Sequence, residues 1–284
     1  LVTGGDLTIN TGSSVVTSEG EIVLAAVGGS GSNFINWSDE NAVMAGPGER
    51  WLIYSYRPES DNFGSSGGLV NSTVLASGET GLFGRTYVLN PPSTIMEAGN
   101  RYLFSTLPTG TVITTDASKV YGQIPDLSSN YIYYFSDMDT FGGAMTGGPA
   151  PQVTGVPLIS SAGEATNAGV AGGPYVITAD VSGLSAPGHI FIASNAGRLT
   201  VTPADLVLTG SRVYDGSTVF AGDDLTATGV NGEIFSVTGL GDASNLASKN
   251  VQTGSGLASV AGLGLGVSAN GGVAGNYNVL TAEG

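Results

Sequence analysis

Apolar and polar residues alternate in short bursts from Leu1 to about Ala26. Leu7 and Ile9 face one way in Gly5-Asp6-Leu7-Thr8-Ile9-Asn10, Val15 follows a Gly-Ser-Ser turn, and Ile22 and Leu24 repeat the alternation. Period-2 strands of under about ten residues, separated by Gly turns, match the rungs of a right-handed β-helix. A pair of rungs cannot bury its own face, so the segment is expected to be the end of a longer solenoid. One ordinary hairpin is the alternative.

Residues 27–108 are less regular. Arg50-Trp51-Leu52-Ile53-Tyr54-Ser55 and Arg101-Tyr102-Leu103-Phe104-Ser105 read as aromatic-rich strands, separated by Gly/Ser/Asn-rich loops around Asp61–Gly68. Their rings are expected to plug the core where a solenoid meets the next domain; the competing use of Trp51 and Tyr102 is as exposed sugar-stacking platforms.

From residue 109 the pattern repeats. Thr111-Val112-Ile113-Thr114 runs into Ser118-Lys119-Val120-Tyr121-Gly122, and Asp205-Leu206-Val207-Leu208 runs into Ser211-Arg212-Val213-Tyr214-Asp215-Gly216. Each is an alternating strand, then Ser, a basic residue, Val, Tyr and a Gly turn, with the two tyrosines 93 positions apart. Later strands are predicted at His189–Ala193 and at Asn276–Leu280. The reading is all-β: a short solenoid or capping region over 1–108 and two small tandem modules over 109–203 and 204–284.

Composition sharpens this picture. Of 284 residues, 46 are Gly, 41% are hydrophobic and only 11% are charged; a disordered chain is poorer in apolar residues and richer in charge. Lys119 and Lys249 are the only lysines, and the net charge is -15. Holding a phosphate backbone takes Lys and Arg, so nucleic acid is an unsuitable partner, and an anionic membrane surface is unsuitable for the same reason. Cysteine is absent, which excludes disulfides. No apolar run reaches the roughly 18–20 residues of a membrane span. A start at Leu1 without Met is expected of a processed form or an excised fragment.

The first repeat, Ser118–Gly122 with the closing Leu199-Thr200-Val201-Thr202-Pro203, resembles the MBG module of large bacterial exoproteins. The second, Ser211–Gly216 with Ser248-Lys249-Asn250-Val251 and Gly275-Asn276-Tyr277, resembles the related YDG module. Arg50–Ser55 after solenoid-like rungs resembles the region past the β-helix in filamentous-haemagglutinin-type, two-partner-secreted adhesins. The resemblance implies an extracellular, cell-surface stalk or biofilm-matrix element without catalytic residues or cofactor. Its partners would be neighbouring modules, other copies of itself, or surface polysaccharide.

The first repeat runs on into Gly197-Arg198-Leu199-Thr200-Val201-Thr202, whereas the second reaches Gly284 without such a closing strand. A missing strand leaves N–H and C=O groups unpaired. Gly5–Asn10 mimics Gly197–Thr202, so Leu7, Thr8 and Ile9 are a candidate donor strand. The candidate acceptor is the module containing Val213, Tyr214, Tyr277 and Val279. Such a head-to-tail contact between copies would build a fibre.

Other chemistry is sparse. His189 is the only histidine, placed in an apparent strand with no nucleophile elbow nearby; one His and no Cys exclude a zinc site of ordinary type. Asp137 with Asp139, and Asp223 with Asp224, are oxygen pairs lacking the spacing of a calcium loop and are read as solvated carboxylates. Trp37, Trp51 and Tyr102 are the candidate stacking residues of a carbohydrate-binding module.

Overall fold

The computed structural model describes residues 1–64 and 74–282; residues 65–68 of the predicted loop, and Gly284, lie outside them. The protein is all-β, built of strands and short 3-10 turns. Its contacts divide it into two units, residues 1–112, 133–157 and 181–192 in the first and 113–132, 158–180 and 193–284 in the second. This division does not follow the 108/109 boundary read from the repeat. No helix among the described residues is long and apolar enough to cross a membrane.

The first unit begins with β1 (Val2–Thr3), β2 (Leu7–Ile9) and β3 (Val15–Val16). They are followed by β4 (Ile22–Ala26), β5 (Phe34–Asn36), β6 (Val43–Met44) and β7 (Trp51–Ser55). β8 (Leu82–Phe83) and β9 (Arg101–Phe104) complete the set. Three parallel stacks result. β1-β4-β7-β9-β8 forms one sheet, while β2 pairs with β5 and β3 with β6. The registers set Leu7 beside Phe34, Val15 beside Val43 and Ile22 beside Trp51. In-register stacking of inward residues is what the alternation in the sequence encodes, and Leu7, Ile9, Ile22, Leu24, Phe34 and Trp51 share one core.

The run Trp51–Ser55 is buried at every position, as expected of a parallel strand covered on both faces. Trp51 and Ile53 belong to the core shared with Leu7 and Phe34. Leu52 and Tyr54 point outward into a second cluster, roofed by Ile95, Leu82 and Tyr87. The Tyr54 hydroxyl donates to the Asn90 carbonyl at 2.8 Å, and burial pushes its pKa up to about 12.

The remaining strands are β10 (Thr109–Thr114), β11 (Ala117–Val120), β12 (Tyr131–Phe135) and β13 (Leu158–Ser161). Next come β14 (Tyr175–Asp180), β15 (Ile190–Ser194) and β16 (Arg198–Thr202), then β17 (Val207–Gly210), β18 (Leu225–Thr228), β19 (Ile234–Thr238) and β20 (Gly264–Ser268). β12, β10 and β15 form a three-stranded sheet in that order. Within the second unit the order is β11-β16-β14-β13 in one sheet and β17-β18-β19-β20 in the other.

β16 pairs parallel with β11, from Ala117 against Leu199 to Val120 against Thr202, and antiparallel with β14. Thus the predicted closing strand is real in the first repeat. The second repeat differs from expectation. Asn276–Leu280 contributes only a parallel bridge between Tyr277 and Ala204, and the edge of β19 is taken by β20. Gly264-Leu265-Gly266-Val267-Ser268 has too little apolar content to be legible as a strand, yet it pairs antiparallel with β19.

Candidate functional site

The richest polar constellation lies in the second unit. Gly229 precedes a 3-10 turn over Val230–Gly232, in which Asn231 has φ 56°. That turn delivers Glu233 to the start of β19, its N–H donating to Val230 O at 3.1 Å. Another 3-10 turn, Ala274–Asn276, delivers Tyr277. The Ala204 N–H donates to Asn276 O at 2.9 Å and the Asn278 N–H to Ala204 O at 2.8 Å, which clamps the segment. Tyr121 enters from the other repeat, its N–H donating to Thr202 O at 2.8 Å.

The three side chains meet on one carboxylate. The Tyr121 hydroxyl donates to Glu233 Oε1 at 2.6 Å and the Tyr277 hydroxyl to Oε2 at 2.7 Å. Their rings cross edge-to-face at 5.5 Å and 85°, a favourable quadrupole arrangement. Burial, and after it the Glu233 carboxylate, push both phenols above the ordinary tyrosine value. Gly229 makes the room: a Cβ there would stand 2.2 Å from the Tyr277 hydroxyl. Beside the clasp, the Val170 N–H donates to Asn276 Oδ1 at 2.8 Å, and Asn231 donates to Thr166 O at 3.1 Å. Gly275-Asn276-Tyr277 therefore joins the two repeats.

Chemically this arrangement holds segments together through two charge-assisted hydrogen bonds. Glu233→Ala removes the shared acceptor and leaves the Tyr277 hydroxyl only its longer bond to Val230 O at 3.3 Å, each loss of a buried partner costing about 1–3 kcal/mol. We expect it to destabilise the second unit by about 2–3 kcal/mol in urea titration, with Tyr277→Phe, which keeps the ring, losing about 1 kcal/mol.

Lys119 is the other buried polar group of note, 4% exposed. Its ammonium donates to the carbonyls of Gln123, Glu164 and Ala165, and burial lowers its pKa. Its counterpart Arg212 reaches forward in the same way, to Ser217 O at 2.6 Å and Asp215 Oδ1 at 2.5 Å.

The predicted sites fare unevenly. Trp51 and Tyr102 are 2% and 0% exposed, in edge-to-face contact at 4.9 Å, so they are core and not sugar platforms; Trp37 alone of the three is exposed. Leu7 and Ile9 are buried in their own coil with Thr8 outward, and all three pair with β5. The donor segment is thus engaged by its own chain, and leaving would strip two residues from the core. In the acceptor set Tyr277 is buried, while Val213, Tyr214 and Val279 stand in solvent.

Nor do the acidic pairs form a cation cradle. Asp137 Oδ2 faces His189 Nε2 at 3.1 Å, and Asp139 accepts from Tyr134 and from the Phe141 N–H, each at 2.8 Å; these carboxylates are partnered by protein rather than merely solvated. Asp223 and Asp224 are exposed in a 3-10 turn. His189 precedes β15 rather than lying within a strand. Among the described residues no group of three or more His, Asp or Glu could hold a metal ion.

Sequence reasoning missed Glu233, whose only local signal is the Asn-Gly turn before it. It also missed that the partner of Tyr121 is Tyr277; the repeat aligned Tyr121 with Tyr214. A family model, the YDG domain, matches residues 195–284, and this match takes in β16 as well as the second repeat. No curated protein and no solved structure matches the chain.

Proposed function

We propose that this chain is a non-catalytic, load-bearing spacer of an extracellular bacterial surface protein of the filamentous-haemagglutinin, two-partner-secreted type. Its first 108 residues form the end of a β-solenoid and its remainder pairs an MBG-like module with the YDG domain. Its partners are neighbouring modules of the same exoprotein.

The observation that carries this reading is the place of β16. It is the first strand of the region matched by the YDG domain, yet it lies between β11 and β14 of the preceding repeat. Backbone pairing therefore crosses the module boundary, and the Glu233 clasp locks it. Tension entering at the start of β11 and leaving at the end of β16 acts in opposite directions on two parallel strands. It loads their four paired positions together, in shear, instead of unzipping them singly. The parallel stacks of the first unit are held by the same backbone chemistry.

Single-molecule pulling between the chain ends tests the role. A discrete force peak is expected, releasing the chain between Tyr121 and Gly197, roughly 27 nm at about 3.5 Å per residue. Thr200→Pro, which removes a ladder donor from the middle of β16, should lower that peak. Smooth extension without a peak, or a peak indifferent to Thr200→Pro, would sink the spacer reading.

A further inference from the structure

The joint between the repeats has a vacant twin. Ser211-Arg212-Val213-Tyr214-Asp215-Gly216 repeats Ser118-Lys119-Val120-Tyr121-Gly122 with one residue inserted, and the local chemistry matches. In both, the basic side chain reaches forward over the turn to a backbone carbonyl, Gln123 O from Lys119 and Ser217 O from Arg212. Each turn also has a glycine in the left-handed region, Gly122 at φ +89° and Gly216 at φ +75°.

What differs is the covering. Tyr121 is 3% exposed and Tyr214 is 60% exposed. A Cβ on Gly122 would strike Val230 Cγ2 at 2.6 Å, whereas one on Gly216 would meet only the Tyr214 hydroxyl, at 3.9 Å. Residues 117–120 are paired along β16, whereas 211–214 belong to no strand. Beside them lies a cleft of about 360 Å³, bordered by Tyr214, Phe220, Leu246 and Lys249. Leu246 belongs to a set of half-buried leucines, with Leu208 and Leu257, packed against this module's core.

From this we infer that the face around Tyr214 is a docking surface for a further domain of the YDG type. Its leading strand, a Gly-x-Leu-x-Val-x segment like Gly197–Thr202, pairs parallel with 211–214, an edge augmentation. Its glutamate and Asn-Tyr pair then close on Tyr214, as Glu233 and Tyr277 close on Tyr121. A second copy of the present chain does not fit this role, because its own Glu233 and Tyr277 are already engaged by its own Tyr121. Such a joint deepens the spacer role proposed above, on which its mechanical purpose rests. A chain that yields smoothly under load yet shields Tyr214 would lose that role and keep the joint.

The test compares the 284-residue chain with the same chain followed directly by a second copy of residues 195–284 that carries Tyr214→Phe, so that the nitrated Tyr214 comes from the first copy alone. Tyrosine nitration by tetranitromethane is read residue by residue by mass spectrometry, with Tyr121 as the shielded reference in both chains. Tyr214 should react freely in the shorter chain and slow on the order of tenfold or more in the longer one, as a buried, hydrogen-bonded phenol does. Glu233→Ala placed only in the second copy should restore part of the reactivity at Tyr214 and leave Tyr121 shielded. Equal nitration of Tyr214 in both chains overturns the inference, whether the added domain is protease-resistant or not. In either case the face has failed to take the domain it matches. Protection of Tyr214 that is indifferent to Glu233→Ala in the second copy overturns the clasp as the means of docking.

Discussion

Trp51→Ala should collapse the first unit's stability while leaving the second intact. The indole is 2% exposed, stands beside Ile22 across the β4–β7 ladder and meets the Tyr102 ring at 4.9 Å. Tyr102 in turn touches Phe34 and Phe63, and its hydroxyl donates to Leu75 O at 2.6 Å. Truncating a buried aromatic costs about 3–5 kcal/mol, because the cavity left behind cannot close. For a unit of this size that is a fall in Tm of roughly 10 °C. Differential scanning calorimetry should show one transition displaced and the one carrying the Glu233 clasp unmoved. A surface sugar platform at this position would give the opposite result, near-native melting with altered glycan binding.

The second large effect concerns pH and Asp61. Its carboxylate accepts the Phe34 N–H at 2.8 Å and the Ser55 hydroxyl. Burial nonetheless raises its pKa from the ordinary 3.8 to about 7, with Glu59 and Asp6 adding to the rise and the two hydrogen bonds opposing it. The folded form thus binds a proton over a range in which the unfolded chain has released it. Stability must therefore fall as pH rises from about 4 to about 7 and level off above that, by an amount on the order of 3 kcal/mol. Asp61→Asn keeps an acceptor for Phe34 and can donate to Ser55 without ever ionising. We expect the variant and the parent to match near pH 4.5 and the variant to be the more stable at pH 7.5. Denaturant midpoints at the two pH values decide it: equal differences at both would mean that Asp61 ionises in the folded coil as it does in water.

Particular residues show how far the sequence could be followed. Leu7, Ile9, Ile22 and Leu24 announced inward-facing strands through simple alternation, and the run Trp51–Tyr54 announced an aromatic-rich strand. Ser118–Gly122 and Ser211–Gly216 announced a repeat. Pairing partners were another matter. Nothing in the neighbourhood of Tyr121 points to a glutamate 112 positions away, because a hydrogen bond closed by the fold leaves no periodic trace. β20 was hidden for a different reason: it is held by its backbone against β19, and backbone groups are the same in every residue. Equally, the 84–98 segment that roofs Leu52 and Tyr54 has no regular period to give it away. The candidate donor strand was an alternative reading of the same residues. Leu-Thr-Ile reads alike whether it completes a neighbour or lies in its own coil, and only the register with Phe34–Asn36 tells the two apart.

The coil's registers also bear on how such a chain can change length over evolutionary time. From β1 to β7, partners along the stacks are separated by a nearly constant stride, from 23 positions for Val2 and Ala25 to 29 for Ile22 and Trp51. Among the described residues each strand from β1 to β7 pairs only with its neighbours in the stack, the pairing pattern of one-dimensional arrays. Gaining or losing one residue within a strand would turn the inward side chains beyond it in that strand out of the core, whereas duplicating a whole stride would present the next turn with the surface it already fits. Length in this part of the molecule is therefore quantised, growing by genetic duplication in steps of one turn, while smaller insertions are confined to the bends between strands.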